Sequence, residues 1–130
     1  MGMKIIVQKV KFKTSPETLY EIFMDSKKHT QATGGKAVIS RKIGGSFTAW
    51  DGYLSGKNLF LVPGKTIVQS WRSSEFKKDD PDSILVLTFE KAPGGCLLTM
   101  THTAITARSE SYAKGWKDFY WKPIAKYLKG

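Results

Sequence analysis

Residues 109–128 read SESYAKGWKDFYWKPIAKYL, and this stretch decides the fold of the whole chain. Its large apolar side chains recur at spacings of three, four and seven, which is typical of one face of an amphipathic helix. We call this face the aromatic stripe, and its members are Tyr112, Trp116, Phe119, Tyr120, Ile124, Tyr127 and Leu128. A helix this aromatic is not stable alone in water, so it needs a concave apolar surface of about its own length.

Two residues of this stretch predict where the helix begins and bends. Ser109 is placed to cap the first turn, because its hydroxyl can accept a hydrogen bond from a free amide. Pro123 removes one amide donor and clashes with the carbonyl four residues earlier. We therefore expect a kink or a short break near Pro123.

Length and composition predict one globular domain spanning residues 1–130, of which 41% are hydrophobic. No apolar run approaches the roughly 20 residues that span a bilayer, and the N-terminus lacks the apolar segment of a signal peptide. We expect a cytoplasmic protein without a membrane span. Cys96 is the only cysteine, which excludes an intrachain disulfide and a thiolate metal cluster. We expect neither a metal nor a cofactor.

The formal net charge of +10 raises the question of an acidic partner. The lysines are scattered along the chain and no nucleic-acid motif is present, so we expect no nucleic-acid binding. Lys9, Lys11 and Lys13 alternate on one face of a predicted strand, as on a solvated surface. Long-range attraction to an acidic protein is favoured over nucleic acid, because it needs no motif.

The N-terminal quarter predicts a strand followed by two short helices. Residues 4–13 alternate in polarity, which indicates a half-buried strand at or near a sheet edge, with the buried face formed by Ile6, Gln8, Val10 and Phe12. The run Thr14-Ser15-Pro16-Glu17 is typical of a helix start, and the helix reaches about Met24. A second helix restarts at Asp25-Ser26 and ends at Gly34-Gly35.

The middle of the chain predicts six strands separated by turn-forming residues. They cover residues 37–43, 46–51, 53–62, 66–73, 83–91 and 96–105. Gly52 and Gly56 suggest bulges where the sheet bends. The order of strand, two helices, six strands and long helix predicts an α+β fold in which a curved antiparallel sheet covers the aromatic helix.

Residues 44–72, GGSFTAWDGYLSGKNLFLVPGKTIVQSWR, carry a resemblance to a known family. This stretch, together with residues 98–102 and Gly115-Trp116, resembles the activators of heat-shock protein 90 ATPase, within the START-related SRPBCC superfamily that includes birch pollen allergen. The resemblance implies a helix-grip fold, with six or seven strands around the C-terminal helix and often an apolar cavity between them. The eukaryotic co-chaperone of that family has a further N-terminal domain, so its activity does not follow from the resemblance alone.

The predicted inward side chains form the candidate binding site. They are Phe47, Ala49, Tyr53, Trp71, Leu85, Leu87, Phe89, Leu98, Met100, His102, Tyr112, Trp116 and Phe119. Complete closure of the sheet on the helix makes this set a packed core, whereas a residual void makes it a ligand pocket. Side-chain volumes leave both alternatives open.

Few polar residues are placed for chemistry, and each has a structural alternative. His102 lies on the inward face of its strand, either as a base or polar handle in a cavity or as a hydrogen-bonded structural residue. His29 is expected to be exposed. Asp51 beside Tyr53 is better explained as a strand bend than as an acid. The acidic loop with Glu75, Asp79, Asp80 and Asp82 lacks calcium-loop spacing and is expected to be a solvated hairpin tip.

The leading hypothesis is a non-enzymatic module that binds a small apolar or amphipathic ligand between the sheet and the C-terminal helix. The alternative is a protein-interaction role on a chaperone or another acidic partner through the basic surface. A cyclase-like or hydrolytic enzyme using His102 or Asp51 is the least favoured. Ligand identity and oligomeric state are left open by the residues.

Overall fold

The fold is a seven-stranded antiparallel sheet that curves around the C-terminal helix. The computed structural model describes residues 4–105 and 109–130. The strands are β1 Lys4–Phe12, β2 Val38–Ile39, β3 Ser46–Ala49, β4 Leu54–Val62, β5 Thr66–Ser73, β6 Ser83–Ala92 and β7 Gly95–Ile105. Their order is β1-β7-β6-β5-β4-β3-β2, so the first strand lies at one edge and pairs only with the last. This is the predicted helix-grip architecture.

The two short helices follow their predicted signals closely. Helix α1 spans Pro16–Met24, and the Ser15 hydroxyl accepts a hydrogen bond from the Thr18 amide at 3.1 Å. Helix α2 spans Ser26–Thr33 and ends at Gly34, whose φ of +85° is the left-handed geometry that favours glycine. These local signals are short-range, which explains why the sequence alone predicts them.

Strand β2 is shorter than predicted, because after Ser40, whose amide still donates to the Ser46 carbonyl at 3.0 Å, the chain turns and its carbonyls bond to a side chain. The buried Asn58 Nδ2 donates to the carbonyls of Ser40 and Lys42, at 2.7 and 3.0 Å. Those carbonyls are therefore satisfied without a ladder. Pairing with β3 is limited to Val38 and Ile39.

The C-terminal helix contains a π-helical turn just before Pro123. Helix α3 spans Ser109–Trp116, the π-helical turn Lys117–Trp121, and helix α4 Lys122–Leu128. The irregularity expected near Pro123 is thus present, and the proline lies in the first turn of α4. The side chain of Ser109 lies outside the described part of the chain, so its predicted capping role stays a prediction.

This π-helical turn changes which side chains face the sheet. A π turn holds more residues than an α turn, so the neighbours Tyr120 and Trp121 are both buried. Phe119 is instead 55% exposed and Tyr127 is 37% exposed. The expectation that the whole aromatic stripe is buried is therefore wrong for Phe119 and Tyr127, because a regular 3.6-residue period does not hold through this segment.

The concave face of the sheet forms the core against this helix. The strand side chains Phe47, Ala49, Leu85, Leu87, Phe89, Leu98 and Met100 are buried as predicted. Tyr53 is the exception, because it lies in the turn before β4 and is 38% exposed. The buried strand side chains pack with Tyr112, Trp116 and Ile124 from the helix and with Leu19 and Phe23 from α1. The predicted alternation of the strands is therefore confirmed.

The two glycines predicted to form bulges have other roles. Gly52 has a φ of +92° and lies in the turn between β3 and β4. Gly56 pairs regularly with Phe47, and a Cβ atom there would overlap the carbonyl of Ser70 and crowd the Phe47 ring. The register shift of β4 lies between Asn58 and Phe60 instead. Gly56 is thus needed for close packing between strands.

We expect Gly56→Ala to lower the free energy of unfolding by about 1–3 kcal/mol, because the added methyl forces β4 away from β5. Urea unfolding measures the change. The matched control is Gly115→Ala in α3, where an added Cβ meets only Phe119 at 3.8 Å. That substitution should raise stability by about 0.5–1 kcal/mol. Equal effects of the two substitutions would contradict the close-packing role of Gly56.

Candidate ligand-binding cleft

A cleft of about 350 Å³ lies between the C-terminal helix and the sheet at the β3–β4 turn. It is lined by Trp50, Tyr53, Leu54, Trp71, Ser111, Tyr112, Gly115, Trp116, Phe119 and Tyr120. Seven of these ten residues are aromatic, and none is charged. The volume falls in the lower part of the range of small-molecule sites, about 300–1,000 Å³.

Trp50 forms one wall of the cleft from a strained backbone. Trp50 and Asp51 have φ values of +52° and +57°, a left-handed conformation that costs non-glycine residues about 1–3 kcal/mol each. The Trp50 ring lies over Gly35, where any Cβ would overlap it. On its other side the ring meets Phe119 edge-on, with centroids 5.4 Å apart. The absence of a side chain at Gly35 makes room for the ring, and the ring's contacts offset the cost of the strained backbone.

Trp71 and Trp116 form the inner wall. Their ring centroids are 6.1 Å apart, and Trp71 also meets Tyr112 edge-on at 5.4 Å. The Tyr112 hydroxyl is bonded to Ser73 Oγ at 2.6 Å, on the last residue of β5. The inner wall is therefore a rigid set of rings fixed to both the sheet and the helix.

His102 lies behind this wall and does not line the cleft. The Trp116 indole donates to His102 Nδ1 at 3.1 Å, so His102 carries its proton on Nε2 and donates to Ser83 Oγ at 2.8 Å. The Ser83 hydroxyl in turn donates to the Trp71 carbonyl at 2.6 Å. Burial lowers the pKa of His102 to about 3. With both nitrogens engaged, the hydrogen-bonded structural interpretation of His102 is the one the geometry supports.

His29 is buried, which corrects the expectation that it is exposed. Only 7% of the residue is accessible. Its Nδ1 lies 3.3 Å from the Phe23 carbonyl, which can only accept, so Nδ1 donates and Nε2 accepts from the Tyr120 hydroxyl at 3.1 Å. Burial lowers the pKa of His29. Burial raises the pKa of Tyr120, and the nearby Trp50 indole offsets part of that increase. Because most residues of α2 are polar, its sequence does not indicate that the face carrying His29 is buried.

The structure divides the predicted site residues into three groups. Five line the cleft: Tyr53, Trp71, Tyr112, Trp116 and Phe119. Phe47, Ala49 and Leu85 border a separate void of about 20 Å³, which has room for about one water molecule. Leu87, Phe89, Leu98, Met100 and His102 border neither void. Directly beneath the helix, sheet and helix are therefore packed, and the open space lies at one end.

Sequence reasoning missed half of the cleft lining. The missed residues are Trp50, Leu54, Ser111, Gly115 and Tyr120. Tyr120 was predicted to belong to the aromatic stripe but not to line the binding site. Gly115 was the available signal, because a glycine within a helix that packs on a sheet leaves a gap beside its neighbours. The position of Trp50 depends on the left-handed turn, which the sequence does not reveal.

The acidic residues form local structure. Asp80 accepts from the Lys77 amide at 2.8 Å and Asp82 pairs with Arg72 at 2.6 Å, as in an ordinary loop. Asp51 is exposed in the β3–β4 turn. Within residues 4–105 and 109–130, no group of three or more His, Cys, Asp or Glu side chains is placed to hold a metal ion. No helix in those ranges is long and apolar enough to cross a membrane.

Comparison with known families now identifies the chain. The profile of the family described as "Activator of Hsp90 ATPase homolog 1-like protein" matches residues 13–129. The chain belongs to this family. The resemblance seen in residues 44–72 is thereby confirmed.

Relatives within the family are longer than this chain. It is 34% identical over 129 residues to the activator of 90 kDa heat shock protein ATPase homolog 1 from Homo sapiens. The aligned region makes up 95% of this chain and 38% of the human protein. A homologue from Dictyostelium discoideum is 31% identical over 86 residues, covering 66% of this chain and 22% of its own length. The chain thus spans well under half of these relatives.

Solved structures match the fold over nearly the whole chain. A heat-shock protein 90 activator from Plasmodium falciparum superposes with a TM-score of 0.89 at 23% identity, covering 98% of this chain and 97% of that one. A protein from Mesorhizobium loti superposes with a TM-score of 0.81 at 19% identity, covering 97% of both chains. At these identities the likeness establishes the fold alone.

The buried histidines predict a loss of stability in mild acid. Folded His102 stays neutral down to a pKa of about 3, whereas the unfolded chain binds that proton near 6.5. Stability is therefore complete above pH 6.5 and falls as the pH drops below it. His29, whose pKa is also lowered, acts in the same direction.

We expect His102→Gln to make this pH dependence shallower by up to about 1.4 kcal/mol per pH unit between pH 6.5 and about 4.5. Glutamine can accept from Trp116 and donate to Ser83, so the fold is retained. Urea unfolding of both proteins at several pH values measures the slopes. Because the carboxylates are the same in both proteins, identical slopes would mean that His102 takes up its proton in the folded state.

Proposed function

We propose that the chain is a non-enzymatic binding module that holds a small apolar ligand in the aromatic cleft. The observation that carries the proposal is a void of about 350 Å³ with seven aromatic residues and no charged residue in its described lining. An apolar concave lining of this volume fits a small molecule, which would bury most of its surface there. The cleft lies at the end of the helix–sheet interface, which is where the helix-grip architecture leaves space.

The same lining disfavours catalysis. General acid–base chemistry needs an ionisable group within about 3 Å of the substrate. Of the described lining residues, only three tyrosines are ionisable. The Tyr112 and Tyr120 hydroxyls are engaged by Ser73 and His29, and burial raises the pKa of Tyr53, which keeps its hydroxyl protonated at neutral pH. His102 lies behind Trp116 and keeps both nitrogens bonded. Binding without turnover is what these groups support.

The test fills the cleft without removing any core side chain. Gly115→Leu places a branched side chain in the void from a position whose Cβ meets only Phe119. We expect N-phenyl-1-naphthylamine, a neutral fluorescent probe, to bind the wild-type chain saturably. Gly115→Leu should weaken this binding at least about tenfold, because a leucine occupies the space that the probe needs.

The matched control is Lys114→Leu, which adds the same side chain one residue earlier. The Lys114 side chain is 79% exposed, and the residue does not line the cleft. Thermal unfolding of both variants reports whether the fold is retained. If the two variants bind the probe equally, the probe does not occupy the cleft and the proposal fails.

A second candidate function is docking onto an acidic protein, including a 90 kDa heat shock protein such as the human relative's name specifies. The observation that favours it is β1, an edge strand whose outer face carries exposed Lys9 and Lys11. Beside them Ile5 and Val7 are 66% and 58% exposed. An exposed apolar centre with a charged rim is typical of protein interfaces.

For this candidate we expect Lys9→Glu/Lys11→Glu to weaken binding to a 90 kDa heat shock protein by about tenfold at low salt. Lys27→Glu/Lys28→Glu on α2 is the control. Each Lys→Glu substitution lowers the net charge by two, so both double variants have a net charge of +6 instead of +10. Binding is measured by calorimetry at rising ionic strength, which should weaken it. Equal losses in both variants would indicate a general charge effect, and undetectable wild-type binding would refute this candidate.

A further inference from the structure

Strand β1 is an open edge of the sheet. It pairs with β7 along Lys4–Phe12, and no described strand lies on its other side. The opposite edge strand, β2, has only two residues, and the Ser26 hydroxyl there accepts from the Ile39 amide at 2.8 Å and donates to its carbonyl at 3.4 Å. The described part of the chain thus closes the β2 edge and leaves the β1 edge able to pair with a further strand.

The burial of neighbouring side chains shows that the interior ends at β1. Helix α3 contacts β1 on the concave face, where Gln8 Nε2 donates to the Ala113 carbonyl at 3.0 Å. On that face Leu98 and Met100 of β7 are fully buried, whereas their β1 partners Val10 and Gln8 are only partly buried. Burial thus decreases from β7 to β1, as expected where no described element lies beyond the edge.

The convex side of β1 carries an apolar residue followed by two basic ones. Val7 is 58% exposed, and Lys9 and Lys11 at the next alternate positions are also exposed. The adjacent residues on β7 are the uncharged Thr101 and Thr99. The ion pairs of residues 4–105 and 109–130 involve neither lysine. The described chain therefore leaves the positive charge of this edge for a partner to neutralise.

A second copy of the chain does not match this edge. Residues 4–13, KIIVQKVKFK, contain four lysines and no acidic residue. Two such strands side by side bring like charges together without a counter-charge, and lysines on an edge strand are a known protection against self-pairing. An acidic strand instead gains opposite-charge pairs across the same edge. The charge pattern therefore favours an acidic partner over a second copy.

We propose that an extended acidic segment of a partner protein adds to the free edge of β1 as a further antiparallel strand. The inference deepens the second candidate function, on whose surface it rests, and is independent of the aromatic cleft. The segment pairs with residues 6–12, because the register shift of β1 lies before them, between Lys4 and Ile6. Main-chain hydrogen bonds hold the segment, and its side chains provide the selectivity.

The direction of the added strand sets the order of its side chains. Antiparallel pairs are slightly more stable per residue than parallel ones, and every pair in this sheet is antiparallel. Side chains alternate between the two faces of a strand. From its N-terminus, the segment therefore has two acidic residues at alternate positions, facing Lys11 and then Lys9, followed by an apolar residue facing Val7.

The probe is the heptapeptide acetyl-Glu-Thr-Glu-Thr-Ile-Thr-Val-amide, whose first, third and fifth residues face Lys11, Lys9 and Val7. We expect saturable binding to the wild-type chain below about 1 mM, as for a small transient interface. The control acetyl-Lys-Thr-Lys-Thr-Ile-Thr-Val-amide should bind at least about tenfold more weakly. Nuclear magnetic resonance titration of the isotope-labelled chain measures both affinities and reports whether the β1 amides respond.

The charge-swapped variant Lys9→Glu/Lys11→Glu tests which side chains face the peptide. It should prefer the lysine peptide over the glutamate peptide, the reverse of the wild-type preference, because the opposite-charge pairs are restored with both signs exchanged. Lys27→Glu/Lys28→Glu has the same net charge and should keep the wild-type preference. A reversed preference requires a folded binding site, so loss of the fold cannot mimic it.

Two N-methylated forms of the glutamate peptide test strand addition itself. One is methylated on the amides of its second, fourth and sixth residues, and the other on those of its third, fifth and seventh. Only alternate amides of a strand face its neighbour, so one form should lose at least about tenfold in affinity and the other should retain it. The two forms have the same charge and the same number of methyl groups, so binding through charge alone affects them equally.

The outcomes separate this inference from the second candidate function. Equal affinities of the two methylated forms, or an unreversed preference in Lys9→Glu/Lys11→Glu, overturn strand addition at β1. A wild-type dimer whose β1 amides are already protected from hydrogen exchange also overturns it, because a second copy then occupies the edge. If a 90 kDa heat shock protein binds through Lys9 and Lys11 while the glutamate peptide does not bind, the inference fails and the second candidate stands. If only the peptide binds, the inference stands and that candidate fails.

Discussion

The C-terminal helix is held in the sheet by hydrogen bonds that each of its buried aromatic residues makes to a different part of the fold. Tyr112 bonds to Ser73 in β5, Trp116 to His102 in β7, Tyr120 to His29 in α2 and Trp121 to Gln8 in β1. Apolar burial supplies the driving force but has no direction. Four directional bonds therefore fix where the helix lies and how it is rotated.

The persistence of the cleft follows from this arrangement. An unfilled void is costly, and a helix held only by apolar contacts would settle toward β3 and β4 until the void closed. Such a movement would leave several buried donors and acceptors unpaired, at about 1–3 kcal/mol each. The helix is thus kept away from the β3–β4 end, and the space beneath Trp50 and Phe119 stays open.

The sequence alone predicts the fold but only part of the cleft. Period-two alternation identifies β1, and the capping residues around Ser15 and Gly34 identify the short helices, because these patterns depend on neighbours along the chain. Trp121 and Phe119 exchange places because a π-helical turn interrupts the helical period. His29 looks solvated in its polar helix, and only its tertiary contact with Tyr120 shows otherwise.

The close fit between Trp50 and Gly35 has a consequence for how distant parts of the molecule communicate. Gly35 follows the end of α2, and His29 within α2 bonds to Tyr120, so this short helix touches two separate walls of the cleft. Its outer side carries the exposed Lys27 and Lys28. Because α2 contacts both walls directly, a displacement of this helix would move the two walls together rather than one at a time.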